Sequence, residues 1–216
     1  MRRTSSPFLL AALVLAALAG FVDAYAFVRL GGFFVSFMSG NTTQGAAALG
    51  NGDWNTARIA LTLVMGFVAG VMLAAIAARA VAARPMAAVM ALATLLLGAA
   101  AIGTLASPPI VLPLLAAAMG AINGVFTRNG EVTIGITYFT GNLVRLGQSL
   151  AAALMGEGGG WLALRYLLLW LAFVGGAMGG ATAEHAIGDQ ALWYAALASG
   201  WMTLLLARQR PAAAQA

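Results

Sequence analysis

The sequence contains no cysteine and few charged residues. The absence of cysteine excludes a disulfide framework, a thiolate metal site and a cysteine nucleophile. Only 8% of the 216 residues are charged, against about 25% in soluble domains. Because eleven basic and six acidic residues cannot cover the surface of a soluble fold of this size, the composition argues against a cytosolic globular enzyme.

The sequence also lacks the motifs of common enzymes and of nucleic-acid-binding domains. It has no nucleophile–base pair, no P-loop and no dinucleotide fingerprint. Its basic residues are all arginine and lie singly or in pairs, so they form no basic stripe for nucleic acid. We therefore expect a protein that is not an enzyme, has no catalytic residue, uses no metal or cofactor and binds no nucleic acid.

Long apolar runs dominate what is present, and 62% of the residues are hydrophobic. A run of about 20 such residues spans a bilayer as a helix. The first run could also be a signal peptide cleaved after Ala19, but it continues well past that point. We predict an all-α, polytopic transmembrane helical bundle in a single integral membrane domain, 1–216. Six runs are predicted to span: 8–28, 59–78, 86–106, 110–126, 161–183 and 191–207.

Two stretches of mixed polarity, 30–50 and 132–155, decide the topology. If both re-enter on the side they left, six spans remain and arginines in the short connections fall on one side, as the positive-inside rule requires. If both cross, there are eight spans and three of these arginines face outward. We favour six spans in a bacterial inner membrane, with both termini cytoplasmic. The cytoplasmic arginines would be Arg2, Arg3, Arg79, Arg84, Arg128, Arg208 and Arg210.

An internal repeat divides the chain into halves at 8–106 and 110–207. The segment 20–24 is matched by 120–124, and 37–41 is matched by 138–142. Gly66-xxx-Gly70 is matched by GxxxG patterns starting at Gly175 and Gly176, an offset near 109. Because each half would hold three spans and one re-entrant segment, the second half would enter from the opposite side as an inverted repeat.

Polar residues within the apolar segments are the candidate substrate-binding residues. Asp23 lies inside the first run, where a carboxylate is costly and usually functional; alternatively it caps the re-entrant segment or pairs with Arg29. Its counterpart Asn123 carries no charge, so the two cannot form a symmetric proton couple. The Gly-Asn motifs, with Asn41, Thr42 and Asn142, would end half-helices whose N–H groups face a polar site, or would only break and cap helices.

Arg145 completes the candidate set, one helical turn after Asn142. It would hold a substrate carboxylate, pair with Asp23, or extend to the membrane surface. His185, the one histidine, stands beside Glu184 and near Asp189. We interpret those three residues as a solvated acidic loop rather than a metal site.

The segments 20–24, 30–35 and 38–42 together resemble the first segment of the YoaK-like family of bacterial membrane proteins. The second-half segments 120–124 and 138–142 also fit, and the resemblance extends from about 8 to 208. The family has Thr where this sequence has Ser39, which retains the hydroxyl. The resemblance implies a polytopic inner-membrane protein with six helices, but no known substrate or reaction.

We interpret the chain as a small-solute transporter or channel whose site lies where its six polar residues converge. One alternative is a non-transporting scaffold, and another is an intramembrane enzyme acting on lipid. The expected partners are the lipid bilayer, a small-molecule solute and a second copy that packs through the glycine-rich helix faces. The predicted site residues are Asp23, Asn41, Thr42, Asn123, Asn142 and Arg145.

Overall fold

A computed structural model shows a bundle of α-helices and describes residues 6–106, 108–128, 131–132 and 137–208. Arg2, Arg3 and Arg210, which entered the prediction of orientation, lie outside these residues. Leucine and alanine dominate the long helices, and both residues favour helical backbone. The helices are α1 (Ser6–Arg29), α2 (Met38–Gly50), α3 (Trp54–Ala80), α4 (Pro85–Ala106), α5 (Pro108–Asn123), α6 (Phe139–Leu154), α7 (Gly160–Ile187) and α8 (Ala191–Ala207).

All six apolar runs are helical, which confirms the helical-bundle prediction. By length and hydropathy, four stretches of the described residues are able to cross a membrane: Phe8–Arg29, Trp54–Ala80, Pro85–Ala106 and Gly160–Ala207. The last stretch holds both α7 and α8, joined by a 3-10 turn at Gly188–Gln190. The chain reverses there, and Gly188 has a φ of 56°, which favours glycine. The shorter α5 starts at Pro108 and ends at Asn123.

Each mixed stretch contains a short helix, α2 in the first and α6 in the second. Residues 30–37 form a loop before α2, and Gly31 and Gly32 in it have φ of 65° and 104°. The loop before α6 includes two strands that pair antiparallel, β1 (Thr127–Arg128) and β2 (Glu131–Val132). The sequence patterns did not predict these strands.

Each half packs one of its long helices against a helix of the other half. In the first pair, α1 packs on α7, and a side chain at Gly176 would collide with the backbone of Ala17. In the second pair, α5 packs on α3, and a side chain at Gly70 would collide with the backbone of Ala117. Ala17 and Ala117 are 100 residues apart, so the two close contacts occupy equivalent positions in the halves.

The glycine contacts correct the predicted register of the repeat in one place. Gly70 and Gly176 play the same role, which gives an offset of 106 between α3 and α7 rather than 109. Gly20 meets the backbone of Phe173, and Gly120 meets that of Phe67, again an offset of 106. The predicted patterns were misaligned because glycines at 175, 176, 179 and 180 offer two GxxxG registers in α7.

Equivalent helices of the two halves run in opposite directions. Phe8 at the start of α1 lies against Phe126 just after α5, with ring centroids 4.7 Å apart. At the other end, Tyr25 of α1 lines the same cavity as Leu112 of α5. The two helices are therefore antiparallel, with Ala17 level with Ala117. We call the two ends of the bundle the Arg29 end and the Phe126 end.

Helices α4 and α8 are also antiparallel and meet at mid-length. The hydroxyl of Thr94 lies 2.7 Å from that of Ser199 and 3.0 Å from that of Thr203. Near the Arg29 end, Thr104 of α4 lines a cavity with Asp189, which precedes α8. Opposite directions in both pairs are the arrangement that an inverted repeat predicts, whereas eight crossing segments would make each pair parallel.

Candidate functional site

The first candidate, Asp23, fastens the loop before α2 to α1. Its carboxylate is buried and accepts hydrogen bonds from the backbone N–H groups of Val35 and Ser36, at 2.8 and 2.9 Å. The Ser36 hydroxyl donates to the other carboxylate oxygen at 2.9 Å. Three donors stabilise a carboxylate inside the protein without a cation. Asp23 therefore fixes the loop at the depth where α2 begins.

Asn41 and Gln44 fasten the same loop to α2. The fully buried Asn41 amide donates to the carbonyl of Phe34 at 2.6 Å and accepts from its N–H at 3.1 Å. Gln44 donates to the carbonyl of Gly32 at 3.0 Å, and its own amide oxygen Oε1 is buried without a protein partner. In an apolar setting these bonds satisfy loop backbone groups that neither helix can reach.

The second half repeats the loop contact with an amide in place of the carboxylate. Asn123 Oδ1 accepts from the hydroxyl of Thr137 at 3.0 Å and from its N–H at 3.3 Å. Its Nδ2 donates to the carbonyl of Met119 at 2.9 Å. Ser36 and Thr137 are 101 residues apart, the offset of the Gly-Asn motifs, so both halves fasten their loops at equivalent residues.

The other two second-half candidates lie along α6. Arg145 is exposed, and its guanidinium donates to the hydroxyl of Tyr166 on α7 at 3.3 Å. Asn142 is half-buried one turn before it, and Ser149 is buried one turn after it. By contrast, Leu143, Val144, Leu150 and Leu154 on α6 are exposed. The polar face of α6 therefore turns toward α7 and its apolar face turns outward.

The structure does not bring the six candidates to one point. Thr42 lies on the exposed side of α2, and its hydroxyl donates to the carbonyl of Met38. Asp23 lies six residues after Ala17 on α1, toward the Arg29 end. Asn123 lies six residues after Ala117 on α5, toward the Phe126 end. At 1.5 Å per residue they are about 18 Å apart along the helix axes. The candidates form two groups, one toward each end of the bundle.

A polar network at the Arg29 end joins Tyr25, Arg29 and Asp189, none of which is among the six predicted site residues. The hydroxyl of the buried Tyr25 donates to Asp189 Oδ1 at 2.8 Å, and Arg29 donates to Oδ2 at 3.1 Å. Arg29 thus pairs with Asp189, not with Asp23 as considered above, and Asp189 is not part of a purely solvated loop. The partners are 160 positions apart in the sequence, so no local sequence signal indicates this pair.

A cavity of about 200 Å³ lies beside this network. It is lined by the network and by residues of α4 and α5, including Thr104, Leu112 and Leu115. It therefore lies between the two halves, and it extends from the Arg29 end to within about 5 Å of the level of Ala117.

The other charged residues near this end do not make a metal site. His185 and Glu184 are in the last turn of α7, not in a loop, with Nδ1 and Oε2 3.6 Å apart. Within the described part of the chain, no group of three or more metal-ligating side chains comes together.

Comparison with known proteins places the chain in a family. The model of the family described as "Protein of unknown function (DUF1275)" matches residues 11–205. A UPF0700 transmembrane protein of Rhizobium meliloti is 35% identical over 94% of this chain and 87% of its own length. No solved structure matches. These findings confirm the resemblance to YoaK-like proteins: the chain belongs to the DUF1275 family of membrane proteins, whose function is unknown.

Proposed function

We propose that this membrane protein is a small-solute transporter or channel rather than an enzyme. In this proposal α1, α3, α4, α5, α7 and α8 cross the membrane, while α2 and α6 enter from opposite sides and return. The halves 8–106 and 110–207 are then related by a two-fold axis in the membrane plane. Inverted repeats of this kind, with interrupted helices at equivalent positions, are typical of secondary transporters.

The depth of α2 and α6 is the observation that carries the proposal. Phe139 at the start of α6 stacks on Phe173, with ring centroids 3.9 Å apart, three residues from the central Gly176. In the first half, Gly45 of α2 packs against Ala60 of α3, which puts Met38 level with Phe67. Both helices therefore begin about 5 Å from the level of the central glycines.

Half-helices that begin near mid-depth direct the positive ends of their dipoles toward the centre. Such ends attract anionic or dipolar solutes in transporters. We propose that the two Gly-Asn segments line the path from opposite sides. Asp23, Asn41 and Asn123 hold the loops in shape, and the exposed Arg145 and the inward-facing Asn142 are available to a solute.

The arginines favour one orientation. Arg79, Arg84 and Arg208 lie at the Phe126 end, whereas Arg29 and Arg58 lie toward the Arg29 end. Because cytoplasmic connections carry the excess of arginine, we propose that the Phe126 end and both termini are cytoplasmic, in a bacterial inner membrane.

Cysteine labelling tests this topology without background, since the chain has no native cysteine. An impermeant thiol reagent added to intact cells should label Asn51→Cys, between α2 and α3, but not Ala82→Cys, between α3 and α4. Both variants should label after permeabilisation. Labelling of Asn51→Cys only after permeabilisation would contradict a re-entrant α2.

Transport is tested with the purified full chain in liposomes. The probes are glycerol, urea, glycine, alanine and leucine, and the measurement is the rate of osmotic swelling by light scattering. We expect faster swelling than in empty liposomes for at least one probe. Arg145→Gln should reduce that rate, while the control Arg58→Gln, an exposed arginine on α3, should not. Swelling equal to that of empty liposomes for every probe, and no exchange of labelled probes, would overturn the proposal.

The scaffold alternative has one observation in its favour. An open apolar groove lies between α1, α7 and α8, and Gly175 and Gly179 line it. By contrast, Gly20, Gly70 and Gly120 lie against the backbone of a neighbouring helix within the chain. If the protein is a non-transporting scaffold, Gly179→Leu should abolish its scaffold function, whereas Arg145→Gln should leave that function intact.

A further inference from the structure

The cavity at the Arg29 end lies between the two halves of the chain. Its walls come from α1 and α4 of the first half and from α5 and the α7–α8 turn of the second half. Transporter sites lie at the interface between repeats, and this cavity follows that interface from the Arg29 end toward mid-depth. None of the six residues predicted from the sequence lines it.

The polar wall of this cavity carries both an acidic and a basic group. Arg29 uses one nitrogen on Asp189, and a guanidinium has five N–H donors, so it retains donors for a carboxylate. Asp189 accepts one bond at each oxygen and has further lone pairs. Both side chains are accessible, with 51% and 33% of their surfaces exposed.

A further acceptor lies on the same wall. Thr104 donates its hydroxyl hydrogen to the carbonyl of Ala101 at 2.7 Å, so its oxygen is left to accept a bond from a ligand. Asp189 and Thr104 therefore favour a ligand donor such as an ammonium group, whereas Arg29 favours an anionic group.

The opposite wall is apolar, and the cavity is small. Leu112 and Leu115 of α5 line it, and Leu115 is buried. A volume of about 200 Å³ is below the roughly 300–1,000 Å³ of pockets for drug-sized ligands. The occupant should be a small molecule with a short apolar group.

Among the described residues, the position equivalent to Tyr25 at the Phe126 end is apolar. The residue equivalent to Tyr25 is Val125, which is buried and apolar, and Phe126 beside it packs on Phe8.

We propose that this cavity binds a small zwitterion with a short apolar side chain, the class of the neutral α-amino acids. The carboxylate of the ligand contacts Arg29, its ammonium group contacts Asp189 and Thr104, and its side chain contacts Leu112 and Leu115. This inference rests on the proposed transport function, since it names the solute class of that protein.

Ligand-induced thermal stabilisation of the purified full chain in detergent tests the site. The probes are L-leucine, its decarboxylated amine isoamylamine and its deaminated acid 4-methylpentanoate. A ligand that binds only the folded protein raises its melting temperature. We expect millimolar leucine to raise the melting temperature, and the amine and the acid to raise it less or not at all.

Variants separate recognition from folding. Arg29→Gln and Asp189→Asn should each weaken leucine binding about tenfold or more, because each removes a charge-assisted hydrogen bond to the ligand. Leu112→Trp should block the cavity and leave the Arg29–Asp189 pair intact, and Thr104→Val provides a milder change should Leu112→Trp fail to fold. The control Arg58→Gln should bind leucine as the wild type does.

Several outcomes would overturn the inference. No stabilisation of the wild type by alanine, valine or leucine would do so, as would equal stabilisation of the wild type, Arg29→Gln and Leu112→Trp. The experiments distinguish failure of this site from failure of the proposed transport function. If leucine binds but no solute enters liposomes, the site stands and transport does not; if another solute enters and Leu112→Trp has no effect, transport stands and this site does not.

Discussion

The two halves fasten the loops before α2 and α6 at equivalent residues but with different chemistry. Asp23 accepts three hydrogen bonds from Val35 and Ser36. Asn123 accepts two from Thr137 and donates a third to Met119. The contact to the hydroxyl-bearing residue is common to both halves, so a charge is not needed to hold a loop of this kind.

The two halves therefore differ in where their charged side chains lie. The first half has a buried carboxylate, and the Arg29 end has an ion pair beside a cavity. Asn123, which is equivalent to Asp23, is uncharged, and Val125, which is equivalent to Tyr25, is apolar. An inverted repeat with identical halves would present the same chemistry at both ends of the bundle, and these equivalent positions do not.

The largest effect is expected when the carboxylate of the first half is introduced at the equivalent position of the second half. Asn123→Asp would set a carboxylate oxygen against the carbonyl of Met119 in place of the present hydrogen bond. An uncompensated buried charge costs about 3–5 kcal/mol, and we expect the free energy of unfolding in mixed SDS micelles to fall by about that amount. Asn123→Ser is a control that removes the amide without adding charge. An Asn123→Asp variant as stable as the wild type would show that the second half tolerates the chemistry of the first.

Substitutions at the glycine contacts test whether the α1–α7 pair and the α3–α5 pair are equivalent. Gly70→Ala and Gly176→Ala each place a methyl group against the backbone of a neighbouring helix. Overpacking of this kind costs about 1–3 kcal/mol, and the two losses of unfolding free energy should be similar.

Matched controls exist on the same and on a neighbouring helix. A methyl group at Gly175 or Gly98 meets no atom within 4 Å, so alanine there should be neutral or stabilise by up to about 1 kcal/mol through helix propensity. A loss at Gly176 without one at Gly70 would show that only one pair depends on close approach.

The helices were predictable from the sequence, whereas their register and partners were not. Long apolar runs rich in leucine and alanine predict helices whatever they pack against, and all six runs are helical. The repeat was visible in Asp23 and Asn123, because a polar residue stands out in an apolar run. Its register in α7 was ambiguous because adjacent glycines fit several alignments, and the contacts of Gly176 with Ala17 and of Gly20 with Phe173 resolve it.

The candidate site was predictable only in part, for the same physical reason. Local patterns identified Asp23 and Asn41 as unusual but did not show what they contact, since a loop with positive φ at Gly31 and Gly32 brings Val35 back to α1. Tyr25 and Asp189 are 164 residues apart. Each by itself resembles an interfacial aromatic or a solvated acid, and only the packing of α1 on α7 makes them a pair.

The opposite substitution, in the first half, is expected to have a smaller effect on stability. Asp23→Asn gives the first half the side chain of the second. One oxygen still accepts from the N–H groups of Val35 and Ser36, and the Ser36 hydroxyl can rotate to accept from the new amide. We expect a loss of about 1 kcal/mol in unfolding free energy, whereas Asp23→Leu should cost several times more. A loss as large as that of Asn123→Asp would mean that the loop of the first half depends on the charge itself.

The smallest expected effect concerns the start of α3 and of its counterpart α7. Asp53 caps α3 by accepting a hydrogen bond from the N–H of Thr56 at 3.1 Å, whereas Gly159 before α7 offers no side-chain cap. The hydrogen bonds from Thr56 lower the pKa of Asp53 below its usual value. A carboxyl group with a lowered pKa in the folded state stabilises at pH above its unfolded value of about 3.9 and loses that contribution as the pH falls through the folded value.

Asp53→Asn isolates this contribution, because asparagine also caps helices but does not titrate. The melting temperatures of the wild type and Asp53→Asn should agree between pH 5 and 8. Below about pH 4, the wild type should lose more stability than the variant, since its cap becomes protonated. The counterpart Gly159→Asp should give no matching gain, because Gly159 has a φ of 100° and a side chain there would approach the carbonyl of Ser149. Parallel curves for the wild type and Asp53→Asn down to pH 3 would show that the charge of Asp53 adds nothing to the cap, and that the two helix starts differ in geometry alone.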